Sequence, residues 1–136
     1  MGSCLAGIAF LKGLGLVHAI SHMIGAEFNT QHGLTNAVLL PVVLRFNLPS
    51  QEDKVRRMAQ AMNLSDTSVE GFILAVELLL NEIGIPKSLG EIGVPTDSAA
   101  RIAEKALKDS AARSNPRAAT LTEVRGLIEI AITKAR

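Results

Sequence analysis

Residues 67–84 read TSVEGFILAVELLLNEIG, and this stretch defines a helix more sharply than any other part of the 136-residue chain. Thr67 and Glu70 have the spacing of a capping box, in which the two residues cap each other's backbone at a helix N-terminus. Gly84, followed by Pro86, is typical of a helix end. The apolar residues between these signals recur every three to four positions: Phe72, Ile73, Val76, Leu79 and Leu80. The stretch therefore predicts an amphipathic helix.

Further helices are predicted on both sides of this stretch. Thr120 and Glu123 repeat the capping-box spacing and begin a last helix that extends to about Thr133. A helix over about 51–62 and another over about 96–112 also have apolar residues on one face. Their predicted buried residues are Val55, Met58, Ala59 and Met62 in the first, and Ala99, Ile102, Ala103, Ala106 and Leu107 in the second.

The N-terminal part predicts two longer apolar helices. The first runs from about Cys4 to Gly25, and its glycines indicate close approach by other backbone: Gly7, Gly13 and Gly15. The second begins at about His32, and Pro41 ends or kinks it. No segment shows the two-residue alternation of a strand. We therefore expect one all-helical, bundle-like domain over residues 1–136, with five to seven helices and no sheet.

The charge balance excludes several classes of protein. Fourteen Lys and Arg against thirteen Asp and Glu give a net charge of +1, and the basic residues are not clustered, which argues against nucleic acid as a partner. The single cysteine, Cys4, cannot form a disulfide within the chain, so we expect a cytoplasmic protein. No signal peptide is recognisable at the N-terminus.

The first fifty residues contain only three charged side chains, Lys12, Glu27 and Arg45. The longest uncharged run within them has 17 residues and includes polar side chains, whereas a membrane span needs about 20 apolar residues. We therefore expect no membrane span, but a segment 1–50 that is covered by protein from the same fold, from another subunit or partner as in a homo-oligomer, or from a part of the polypeptide missing here. The apolar residues expected to face such a partner are Leu14, Val17, Val38, Leu39 and Val42.

All three histidines lie in one short segment, at positions 18, 22 and 32. His18 and His22 are four residues apart on a predicted helix, so they project from one face and could serve one metal ion or one substrate. The alternative is that they are core residues with ordinary hydrogen-bond partners. Ala19 stands where a zinc-protease motif needs glutamate, so peptidase chemistry is not supported.

The string GLGLVHAISH at residues 13–22, together with Gly25, Gln31-His32-Gly33, Asn36-Ala37 and Leu40-Pro41, resembles the signature of the iron-containing (group III) alcohol dehydrogenases. The resemblance continues through Arg45-Phe46-Asn47 and Asn115-Pro116-Arg117 and covers nearly the whole chain. It implies the C-terminal, helical part of a dehydroquinate synthase-like fold. In that family an N-terminal α/β domain binds NAD(P), and the helical domain binds a divalent metal.

The resemblance also implies roles for the histidines. His18 and His32 match two ligands of Fe(II), which zinc sometimes replaces, and His22 matches the histidine beside the nicotinamide and the substrate, where it could relay a proton. The implied reaction is reversible hydride transfer between a small alcohol or aldehyde and NAD(P). The family's other two ligands, an Asp and a His, and its glycine-rich nucleotide-binding segment have no counterpart in this sequence. We therefore expect the chain alone to bind metal weakly and to lack dehydrogenase activity.

Two other functions remain open at this stage. The chain could be a truncated, stand-alone helical module that associates with itself or with another protein through residues 1–50. It could also be a regulatory metal-binding protein that uses the three histidines alone, although no carboxylate is evidently placed to complete such a site.

Overall fold

A computed structural model describes residues 1–133, and within that range it contains seven α-helices and no strand. The all-helical prediction is therefore confirmed, while residues 134–136 of the expected domain lie outside the described part. None of the described helices is long and apolar enough to cross a membrane. The helices are α1 (Gly2–Phe10), α2 (Leu16–Phe28), α3 (His32–Asn47), α4 (Glu52–Ala61), α5 (Val69–Glu82), α6 (Ala99–Ala106) and α7 (Leu121–Thr133).

Apolar side chains pack into two clusters. The main core joins α2, α3, α6 and α7, and its fully buried members include Ile20, Leu39, Ile102 and Ile128. A smaller cluster joins α4 to α5. Because α3 contacts both α5 and α7, it connects the two clusters. This arrangement places α2 and α3 side by side, with the three histidines on them.

The prediction of one helix from Cys4 to Gly25 is wrong in one respect. The segment forms two helices, α1 and α2, with an interruption between them. Gly13 and Gly15 lie at the break with φ of +102° and +89°, a backbone conformation that favours glycine. A Cβ atom on Gly13 would lie 2.2 Å from Cβ of Ser114. Close approach is thus confirmed at these two glycines, whereas Gly7 has open space around it.

Two helix starts test the predicted capping boxes. At α7 the box is confirmed, because the Glu123 N–H donates to Thr120 Oγ1 (3.2 Å) and the Thr120 N–H donates to Glu123 Oε2 (2.8 Å). At α5 the cap is Ser68 instead of Thr67, and its Oγ accepts from the Gly71 N–H at 3.0 Å. Neighbouring Thr and Ser residues offer similar oxygens, and the spacing alone did not separate them.

One other helix boundary differs from the predicted one, and the structure settles one that the sequence left open. The helix expected over 96–112 is regular only in α6, and a short 3₁₀ turn, Ser110–Ser114, follows it. Asp109 causes this change, because its Oδ1 accepts from the Ala111 N–H (2.7 Å) and caps the turn. α3 continues through Pro41 to Asn47 and is not ended by the proline.

Five apolar residues of the first two predicted helices were expected to face a partner. Two of them are buried within this chain, and the other three are only partly exposed. Val38 and Leu39 are 2% and 0% exposed, because α6 and α7 cover that side of α2 and α3. The other three, Leu14, Val17 and Val42, are partly buried against the same core. Three residues expected to be buried are instead exposed: Met58, Met62 and Leu79.

α1 differs from the other helices because none of its residues is buried. It is apolar, and in and just after it Leu5, Phe10 and Leu11 are 60%, 59% and 85% exposed. The exposed apolar surface of the first fifty residues is therefore concentrated in α1 and the residue that follows it.

Candidate functional site

The structure brings the three histidines together in a triangle. α2 carries His18 and His22 on successive turns, and α3 begins with His32. The ring centroids are 5.9 Å apart for His18 and His22, 5.3 Å for His18 and His32, and 5.5 Å for His22 and His32. Packing of α2 against α3 is what closes this triangle.

Ser21 determines which nitrogen of His32 carries the proton. The side chain of Ser21 is fully buried, and its hydroxyl donates to the carbonyl oxygen of His18 at 3.2 Å. Its oxygen also lies 3.5 Å from Nδ1 of His32. Since the single hydroxyl proton is already used, Nδ1 must be the donor in that contact. This contact favours the tautomer of His32 that carries its proton on Nδ1 and leaves Nε2 as the acceptor.

The side chain of Asn36 lies between Nε2 of His32 and Nε2 of His18. Its Nδ2 lies 3.0 Å from Nε2 of His32 and 3.3 Å from Nε2 of His18. Burial, together with the nearby rings of His32 and His22, lowers the pKa of His18 below its ordinary value. His18 is therefore neutral near pH 7, and the site presents two imidazole lone pairs on one side of the histidine triangle.

His22 has a different partner, Asp109. Nδ1 of His22 lies 3.1 Å from Oδ2 of Asp109, in the turn that follows α6. Burial raises the pKa of Asp109, but hydrogen bonds from the Ala111 N–H and from His22 outweigh that effect, so the pKa lies below its ordinary value. Because an ionised carboxylate only accepts hydrogen bonds, Nδ1 of His22 is the donor in this contact, and Nε2 is the ring nitrogen that Asp109 does not engage. The side chain of His22 is 37% exposed, so the site opens to the surface.

Asn115 and its neighbours position the start of α2. The Leu16 N–H donates to Oδ1 of Asn115 (3.1 Å), and the Gly15 N–H donates to the carbonyl oxygen of Ala111 (3.0 Å). These bonds satisfy N–H groups that a helix start otherwise leaves unpaired. The backbone that carries Asp109 is thereby attached to the helix that carries His18 and His22.

A groove of about 540 Å³ between α3 and α7 contains none of the histidines. It is lined mainly by apolar residues of α3 and α7, with Arg45, Lys87 and Arg117 among its polar ones. Arg45 is bonded to Glu77 and Glu70, and Arg117 is bonded to Glu123. Arg45 and Arg117 are therefore already paired within the protein, and the histidine triangle is the better candidate for a functional site.

Sequence reasoning named the three histidines but missed three residues that organise them: Ser21, Asn36 and Asp109. Asn36 was part of the quoted motif, but no role was assigned to it. Its position four residues after His32 predicts that the two side chains lie on the same face of the helix. Asp109 is the carboxylate that the sequence seemed to lack near the histidines, and it is engaged with His22. Within residues 1–133, no three His, Cys, Asp or Glu side chains are arranged to hold a metal ion by themselves.

Comparison with known proteins adds an independent result. The family model described as the C-terminal part of the Fe-containing alcohol dehydrogenase family matches residues 1–132. The chain is 40% identical over 128 residues to probable alcohol dehydrogenase EutG of Escherichia coli K12, with 93% of this chain and 32% of that protein covered. It is 39% identical over 134 residues to lactaldehyde reductase of the same organism, with 91% and 34% covered.

A solved structure agrees with these sequence matches. The alcohol dehydrogenase from Oenococcus oeni superimposes with a TM-score of 0.88 at 34% sequence identity, covering 93% of this chain and 35% of that one. The chain thus spans about a third of the length of the relatives it matches.

Proposed function

The chain belongs to the Fe-containing alcohol dehydrogenase family, and on that premise we propose that it forms the C-terminal metal-site portion of an NAD(P)-dependent dehydrogenase acting on small alcohols and aldehydes. The observation that carries this proposal is the pair of histidine Nε2 atoms that share one amide donor, Asn36. The proposed enzyme is cytoplasmic.

His18 and His32 are the proposed metal ligands. Neutral imidazole nitrogens suit Fe(II) and zinc, and both side chains present unprotonated Nε2 atoms. They supply two nitrogens, which fit half of a four-coordinate shell, and we propose that further ligands complete it in the whole protein. The chemistry that a bound ion supplies is polarisation of the alcohol or carbonyl oxygen, and NAD(P) supplies the hydride acceptor or donor.

His22 is the proposed catalytic and cofactor-contacting residue. Asp109 accepts a hydrogen bond from Nδ1 of His22, and we propose that Nε2 takes a proton from an alcohol or from a water that leads to it. The carboxylate also stabilises the imidazolium that this transfer produces. The partial exposure of His22 lets cofactor and substrate reach it. Asp109 is thus a positioning residue that acts through His22.

A second candidate function is favoured by α1. Its exposed apolar side chains, including Leu5, Ile8 and Phe10, are the sort of surface that binds protein. A stand-alone helical module would use this surface to associate with itself or with another chain. Light scattering separates the two functions, since a monodisperse monomer that binds no partner would contradict the module.

A chimera tests the dehydrogenase proposal directly. Residues 1–132 of this chain replace the matching C-terminal part of E. coli lactaldehyde reductase, whose remaining part supplies the nucleotide-binding domain. We expect aldehyde-dependent oxidation of NADH and bound iron or zinc. His18→Ala and His32→Ala should remove both metal and activity, and His22→Ala should lower kcat by roughly 100-fold with the metal retained.

Lys54→Ala, on the exposed side of α4, is the matched control and should change nothing. A folded chimera that keeps its metal after His18→Ala would show that the metal lies elsewhere. The isolated chain should have no dehydrogenase activity, and activity without the reductase part would contradict the proposal that further ligands are needed.

A further inference from the structure

Asn36 is bound at one end of its amide group and unbound at the other. Its Nδ2 lies within hydrogen-bond distance of two imidazole nitrogens, Nε2 of His32 at 3.0 Å and Nε2 of His18 at 3.3 Å. Its Oδ1 is buried and has no hydrogen-bond partner within the described residues. A buried carbonyl oxygen without a donor costs about 1–3 kcal/mol. This cost makes the reverse orientation of the Asn36 amide favourable in a state of the site that offers Oδ1 a partner.

The distances around Asn36 match the spacing of ligand atoms around one ion. With metal–nitrogen bonds of about 2.0–2.1 Å, two ligand atoms lie about 3.3 Å apart in tetrahedral geometry and about 2.9 Å apart in octahedral geometry. Nδ2 of Asn36 lies 3.0 Å and 3.3 Å from the two histidine nitrogens. The end of the amide is therefore separated from both nitrogens as a third ligand atom would be.

The two ends of the amide have opposite effects on a cation. An NH₂ group has only hydrogens to offer, so it competes with a metal for the histidine lone pairs and repels the ion itself. An amide oxygen attracts a divalent cation. A half-turn about the last side-chain bond exchanges the two ends and leaves the carbon skeleton of Asn36 in place.

We propose that Asn36 is a metal-facing residue that changes orientation with occupancy of the site. Without metal, its NH₂ group holds the lone pairs of His18 and His32 and keeps the two rings in register. When a divalent transition metal binds those nitrogens, the amide turns over and Oδ1 faces the ion. This inference rests on the proposed function, because it requires His18 and His32 to be metal ligands.

The test is a Zn²⁺ titration of the chain itself, followed by NMR of ¹⁵N-labelled protein. We expect the Nε2 resonances of His18 and His32 and the side-chain amide resonances of Asn36 to move together. The matched control is the amide pair Asn47 and Asn115, which bond to each other at both ends and should not move. Asn36→Leu, of similar size, should weaken Zn²⁺ binding about tenfold, and Asn36→Asp should strengthen it about tenfold.

The outcomes separate this inference from the proposed function. If the resonances of His18 and His32 do not respond to millimolar Zn²⁺, the metal site is wrong and the inference falls with it. If they respond while the amide of Asn36 stays unchanged and both variants bind like the wild type, the inference alone is overturned. Tighter binding by Asn36→Leu would show that the amide only competes with the metal. Should the leucine variant fail to fold, the wild-type titration and Asn36→Asp still decide.

Discussion

Asn47 and Asn115, 68 residues apart, exchange two amide hydrogen bonds, from Asn47 Nδ2 to Asn115 Oδ1 at 3.0 Å and from Asn115 Nδ2 to Asn47 Oδ1 at 2.8 Å. The pair joins the end of α3 to the segment before α7, and Asn115 also accepts from the first N–H of α2. Three elements that surround the histidine triangle therefore depend on one side chain.

Asn115→Ala should be strongly destabilising. The substitution leaves the amide of Asn47 and the Leu16 N–H without their partners in a partly buried place. We expect the free energy of unfolding to fall by about 2–4 kcal/mol, measured by urea denaturation. Asn81→Ala, on an exposed position of α5, is the control. A loss below about 0.5 kcal/mol would mean that the reciprocal pair contributes little.

Gly13→Ala should destabilise the chain, whereas Gly7→Ala should not. Gly13 has φ of +102°, and the new Cβ would overlap Ser114. The expected loss is about 1–3 kcal/mol from strain, before any displacement of the 110–114 turn. Gly7 lies in a helix with open space around it, so alanine there should be neutral or slightly favourable. Thermal unfolding of the two variants measures the difference, and equal midpoints would contradict this account of the break.

Asp109→Ala should release His22 and loosen the turn after α6. The residue caps that turn through the Ala111 N–H and accepts from His22, so we expect a loss of about 1–2 kcal/mol in unfolding free energy. NMR of the His22 ring should show loss of the single Nδ1–H tautomer. Asp109→Asn has a single amide oxygen, which can keep the bond from the Ala111 N–H while its NH₂ group faces His22, so it should restore most of the stability but not the His22 tautomer. An unchanged His22 spectrum in the alanine variant would argue against the Asp109 contact.

Stability should decrease in acid below about pH 4.5. Hydrogen bonds from Arg101 and Lys105 hold the pKa of Glu27 below its ordinary value of 4.5, although burial opposes them. Glu123, bonded to Thr120 and Arg117, has a lowered pKa for similar reasons. The unfolded chain therefore takes up protons first as the pH falls, and the stabilisation present above pH 4.5 is lost as the pH passes through the lower, folded values.

Unfolding midpoints at pH 7, 5, 4 and 3 measure this dependence. Glu27→Gln removes one of the contributing carboxylates and should make the decrease shallower. Glu52→Gln, at an exposed position at the start of α4, should leave its slope unchanged. A midpoint that stays constant down to pH 3 would contradict the prediction.

The helices were predictable from the sequence because their signals are local. The capping box of Thr120 and Glu123 and the apolar spacing of α5 lie within a few residues of each other, and both are seen in the structure. The close approach at Gly13 was not predictable in the same way, because the neighbour that Gly13 meets is Ser114, which is far away in the chain. Pattern reasoning sees a glycine but not the atoms that approach it.

The same distinction between local signals and long-range contacts applies to the histidine site. His18 and His22 are one helical turn apart, so their shared face was predictable, and the family resemblance added His32. Asp109 was missed because its contact with His22 spans 87 residues and only folding brings them together. The burial of Val38 and Leu39 was mispredicted for the same reason, since the helices that cover them come much later in the sequence.

The cap on α2 has a consequence for synthesis of the protein. The Leu16 N–H finds its acceptor on Asn115, 99 residues later, and the Gly15 N–H finds its acceptor on Ala111. A ribosome delivers the histidine-bearing helix long before these acceptors, so the emerging α2 has an unfinished first turn and uncovered apolar sides. Only when the segment around Asn115 leaves the exit tunnel can that turn be completed. The order of translation therefore leaves the first turn of α2 incomplete until the segment around Asn115 has been made.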